Sequence, residues 1–121
     1  MIKLIRITIT INILAFISGC SVAKPTYGDT DALLDFAESN CIFWYLKSKD
    51  YEVSDIKKVT AGIVEMSTYS ANKFQQTALL VKEYKPDISR NDNVDLDLLK
   101  CFTMKKDKLF LKKLEIIRVQ Q

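Results

Sequence analysis

Three cysteines, at positions 20, 41 and 101, are the side chains best suited to chemistry in this 121-residue chain, and no histidine accompanies them. Without histidine there is no usual general base, no Ser-His or Cys-His nucleophile pair and no imidazole to bind zinc. The carboxylates do not fill the gap. Asp95 and Asp97 sit two apart on an expected helix, so their side chains diverge where an acid/base pair would converge. Asp29 with Asp31, and Asp87 with Asp92, lack the loop spacing and terminal bidentate Glu of a calcium site. Three glycines in the whole chain leave no phosphate-cradling loop. These residues point away from an enzyme and from any bound metal or cofactor.

The cysteines point instead to export. Lys3 and Arg6 precede an apolar run from Ile7 to Ile17, which ends at Ser18-Gly19-Cys20. A run this short, closed by small residues, reads as a cleaved secretory signal over residues 1–20, since a membrane span needs roughly 20 apolar residues. Ile17-Ser18-Gly19-Cys20 also fits a lipoprotein processing site, which makes Cys20 a candidate for lipidation and membrane tethering. Ser21-Val22-Ala23 offers an ordinary signal-peptidase cut instead. Either way the expected location is the periplasm. Cys41 and Cys101 are then the remaining thiols in an oxidising compartment, and the expectation is that they form a disulfide.

Loss of Lys3 and Arg6 leaves 16 basic against 15 acidic residues. A side-chain balance so near neutral gives no footing for nucleic-acid binding, which needs a concentrated basic surface. About a hundred mature residues make one small domain. Residues 21–29 read as a short linker and residues 30–118 as the folded part.

The elements that must position the cysteines read as helices throughout. Over residues 31–47, Leu34, Ala37, Cys41 and Trp44 recur at steps of three and four, which places Cys41 and Trp44 on a buried stripe. Tyr45, beside that stripe, is the better candidate for a partner or dimer contact. A second helix is expected from Ser54 as N-cap through Ile56, Val59, Ile63 and Met66. A third, capped by Ser70, puts Ala71, Phe74, Ala78 and Val81 on one face until Pro86 forbids continuation. Lys85-Pro86-Asp87-Ile88-Ser89-Arg90-Asn91-Asp92-Asn93 follows as an exposed, turn-rich loop. A fourth helix over about residues 93–103 carries Leu98, Cys101 and Phe102 inward, and a fifth over residues 107–118 carries Phe110, Leu114 and Ile117. The expected fold is a small all-α bundle of about four to five helices stapled by one disulfide.

Charge is unevenly spread over these elements. Residues 100–118 hold seven basic and two acidic side chains, whereas residues 21–99 hold nine and thirteen. Such a basic helix is a solvated face or a contact for anionic lipid or an acidic partner, with Lys105, Lys106, Lys112 and Lys113 its foremost cations.

Taken in order, Phe36-Ala37-Glu38-Ser39-Asn40-Cys41-Ile42, residues 55–65, residues 70–84, Leu98-Leu99-Lys100-Cys101-Phe102 and residues 108–114 resemble periplasmic immunity proteins of type VI secretion systems. More closely, the chain resembles the immunity family directed against the fourth family of type VI amidase effectors. The resemblance runs over residues 30–117 and rests on collinearity, with no single diagnostic motif. It implies a helical homodimer that blocks the cleft of a peptidoglycan amidase with a cysteine nucleophile. It also implies that a loop between helices enters that cleft, and the matching segment holds Pro86, Asp87, Ser89, Arg90, Asn91, Asp92 and Asn93. The short apolar tail after Leu114 and the lipoprotein-like signal depart from the family pattern. The alternative expectation is a small structural or adaptor lipoprotein of the envelope that binds a protein partner or anionic lipid.

Overall fold

The computed structural model describes residues 29–89 and 92–121. The signal segment, Cys20, most of the linker, Arg90 and Asn91 therefore lie outside the described residues. Within them the chain forms α1 (Asp29–Ser48), α2 (Ser54–Met66), α3 (Ala71–Glu83), α4 (Leu96–Thr103), a 3₁₀ turn (Met104–Lys106) and α5 (Lys108–Val119), with no strand. The all-α expectation holds. No helix among the described residues is long and apolar enough to cross a membrane.

Helix α1 is the central element, packing against α2, α3 and α4 and touching α5, which itself lies mainly on α3. Local chemistry sets its end. Asp50 adopts φ 57°, and the amides of Tyr51 and Asp50 return to the carbonyls of Leu46 (3.0 Å) and Lys47 (3.2 Å). This left-handed residue closes the helix by satisfying its last carbonyls, a position where a short polar side chain is tolerated better than a branched one. Helix α2 begins one residue earlier than expected. Ser54 is not the N-cap; its amide and hydroxyl bind the Glu52 carboxylate at 3.0 and 2.8 Å, so Val53 takes the capping position. Those bonds hold the Glu52 carboxyl below its ordinary range. Ser70 does stand at the N-cap of α3, with no capping bond from its hydroxyl.

Helix α4 starts at Leu96, later than the expected Asn93, because the Asp95 side chain accepts from the amides of Asp97 and Leu98, both at 3.1 Å. Asp107 performs the same service for α5, accepting from the Phe110 amide at 2.9 Å.

The core runs through Leu33, Phe36, Ala37, Ile63, Phe74, Leu80, Val81, Met104, Phe110, Leu114 and Ile117, and among the described residues the buried core extends from Ala32 to Ile117. Two edge-to-face aromatic pairs tie helices together, Phe36 on Phe74 with ring centres 5.0 Å apart and Tyr84 on Phe110 at 5.1 Å. Cys41 and Cys101 are joined in a disulfide that closes a 60-residue separation and links α1 to α4. Buried Thr77 and Ser39 satisfy their hydroxyls on the carbonyls of Lys73 and Phe36.

Four inward assignments are corrected. Trp44 is 56% exposed, because the stripe Ala37, Cys41, Trp44 continues past the point where α3 and α4 still cover α1. Val59 is exposed because α2 packs chiefly on α1 and buries only a narrow arc centred on Ile63. Phe102 is exposed because the disulfide fixes its neighbour Cys101 inward, and the next residue of a helix points about 100° away. Ala71, in the first turn of α3, is exposed as well.

Candidate functional site

Two features stand out around the disulfide: the connection between α3 and α4, and a groove beside it. The connection leaves α3 at Tyr84 and enters α4 at Asp95. Pro86, two residues beyond Tyr84, blocks any continuation of the helix, since it has no amide to donate and disfavours helical backbone in Lys85 before it. Beyond it Asp87, Ser89, Asp92 and Asn93 are exposed, while Pro86 and Ile88 are half-buried.

Both feet of this loop are braced by tyrosines. At the first, buried Tyr84 sets its ring edge against Phe110 and donates its hydroxyl to Asp107 Oδ2 at 3.1 Å, with Thr103 Oγ1 at 3.3 Å. Burial, chiefly, pushes this phenol above its ordinary value. At the second, Tyr45 of α1 donates to Asp95 Oδ2 at 2.8 Å, and the Lys49 ammonium stands 3.9 Å from the same oxygen. The phenol, the Leu98 amide and Lys49 hold the Asp95 carboxyl below its usual range, the phenol most of all, and the same bond raises the Tyr45 phenol. Tyr45, expected to face a partner, spends its hydroxyl on this solvent-exposed intramolecular bond, and its side chain also lines the groove described next. Asp95 is the capping group of α4, and Asp97 is the second residue of its first turn.

Beside these feet lies a groove of about 790 Å³ where α3 and α4 part over the end of α1. Its floor is apolar, formed by Trp44, Ala78, Leu79, Val81 and the Cys41 end of the disulfide, and Lys82, Asp97 and Lys100 stand along its rim. Leu79 is 58% exposed, so with Trp44 it offers apolar surface to solvent. Sequence periodicity hid the groove, because it assigned Trp44 to the core. A second, smaller hollow of about 240 Å³ lies between α1 and α2, around Phe43, Ala61 and Val64. Among the described residues, no cluster of three or more Cys, Asp or Glu side chains is placed to hold a metal ion.

Fold and site together define a small, disulfide-stapled, all-α domain in which a loop with braced feet lies next to a groove with a largely apolar lining. No family model matches the chain, and no curated protein or solved structure does either.

Proposed function

We propose that this protein is an exported immunity protein that binds a type VI peptidoglycan amidase and inhibits it, with the loop between α3 and α4 entering the enzyme's cleft. The observation that carries the reading is the bracing of that loop. Tyr84 and Tyr45 anchor its two feet to the bundle, while Asp87, Ser89, Asp92 and Asn93 face solvent. A polar segment with fixed ends gives up less conformational freedom on binding than a free one, and its carboxylates and amides can satisfy the backbone and charged groups that line a peptide-binding cleft. The groove beside the feet then takes the apolar rim of that cleft. The collinear resemblance over residues 30–117 supports the same reading and implies a homodimer.

The test is inhibition of peptidoglycan cleavage by the oxidised chain 21–121, added to a type VI amidase from the same genome. A variant in which residues 86–93 become a Gly/Ser segment of equal length keeps the helices, as circular dichroism would register, and loses inhibition. Full inhibition by that variant would refute the loop mechanism, and no complex with any such amidase would refute the immunity reading.

A further inference from the structure

Helix α5 buries Phe110, Leu114 and Ile117, yet its outer side is apolar too. Leu109, Ile116 and Val119 are 64%, 52% and 65% exposed. Leu109 and Ile116 are seven residues apart, within about 20° of each other around the axis. Lys112 and Lys113 lie on either side of that pair, and exposed Lys108 and Val119 extend the same arc. A helix with a second apolar stripe flanked by lysines is able to contact another apolar surface.

The charges around it narrow the choice. The cations of this end that can pair internally already do so: Lys105 with Glu38, and Arg118 with Glu115 at 2.9 Å. Asp107 is turned inward as the cap of the helix. Lys108, Lys112 and Lys113 of α5, and Lys106 of the turn before it, are exposed and have no ion-pair partner among the described residues. The end of the helix is also tied to α3, where the Lys73 ammonium donates to the Arg118 carbonyl at 2.5 Å.

We infer that this outer face of α5 docks on an anionic membrane surface, with Leu109 and Ile116 sunk at the headgroup boundary and the lysines against lipid phosphates. The shape favours a bilayer over a protein partner. The face is the convex side of a helix at the edge of the bundle, and neither groove described above is lined by it. A convex helix lying in the interface plane, with long cationic side chains reaching outward from an apolar stripe, is the geometry of interfacial binding. Residues 21–99 hold nine basic and thirteen acidic side chains, so the same surface would repel the rest of the molecule. This inference does not depend on the amidase reading.

Sedimentation with lipid vesicles tests it. The oxidised chain 21–121 contains the whole described core and its disulfide and carries no lipid if produced without its signal. It is expected to sediment with vesicles of phosphatidylcholine mixed with phosphatidylglycerol, to stay free of phosphatidylcholine alone, and to be released by high salt. Lys112→Gln with Lys113→Gln should lower partitioning about thirtyfold, Leu109→Ser with Ile116→Ser should also weaken it, and Lys112→Arg with Lys113→Arg should preserve it. All four positions are exposed, so circular dichroism should be unchanged throughout. No sedimentation with the mixed vesicles, or equal binding by the Lys→Gln variant, overturns the proposal.

Discussion

Asp95 and Asp107 each do two things at once, capping a helix and receiving a tyrosine hydroxyl at a foot of the same loop. Both carboxyls are held below their ordinary value of 3.8, Asp95 chiefly by the Tyr45 hydroxyl and Asp107 chiefly by the Phe110 amide. The unfolded chain therefore takes up these protons more readily than the folded one. The stability they contribute is complete above the ordinary carboxylate range and is lost as pH falls through the lowered folded values. Thermal melts through the acid range should show this, and Asp95→Asn with Asp107→Asn should flatten the acid limb. The tyrosines work in the opposite direction. Their phenols are raised above 10.0, so the bracing persists through neutral pH and is lost only when the phenols ionise at strongly alkaline pH. Tyr45→Phe should leave melting at neutral pH nearly unchanged while loosening the second foot, visible as faster amide exchange at Leu98.

Each helix of this bundle is short, from 8 to 20 residues, so element ends and crosslinks weigh heavily. Breaking the disulfide by Cys41→Ser with Cys101→Ser removes the covalent tie between α1 and α4, and denaturant unfolding should show a loss of about 2–5 kcal/mol. At the end of α1 the non-glycine residue at positive φ can be improved. Asp50→Gly should raise stability by roughly 0.5–1 kcal/mol, read from the midpoint of the same titration. Core and surface positions one residue apart should differ sharply. Phe110→Ala, which empties a position 2% exposed and removes the partner of Tyr84, should cost about 3–5 kcal/mol. Leu109→Ser, on the solvent side of the same helix, should stay within about 0.5 kcal/mol.

For the whole molecule the parts divide between two surfaces. The loop and groove occupy the side where α3 and α4 separate, while the cationic face belongs to α5. If the groove receives the rim of an amidase cleft, Trp44→Ala and Leu79→Ala should each weaken the complex by about 1–2 kcal/mol, as judged by titration calorimetry. Neither side chain is buried, so the fold should hold. A loss of affinity without a change in melting temperature would mark them as contact residues, and unchanged affinity would remove the groove from the interface.

Five helices and their order were legible in the sequence because each depends on local spacing, apolar residues at steps of three and four and a proline shortly after Tyr84, and the disulfide because Cys41 and Cys101 are the two cysteines left after residue 20. Phe110, Leu114 and Ile117 were placed correctly for that reason. Periodicity gives the direction of a stripe but not its length under cover. Trp44 lies on the stripe of Cys41, and only the divergence of α3 from α4 turns it into the floor of a groove. The caps at Val53 and Asp95 likewise depended on which carboxylate reached which amide. The bracing of the loop by Tyr84 and Tyr45 joins residues 23 and 50 positions apart, and such pairings exist only once the helices have packed. The sequence alone determined which faces are apolar and where the chain turns; the tertiary structure decided which of those faces find a partner within the molecule and which are left for another surface.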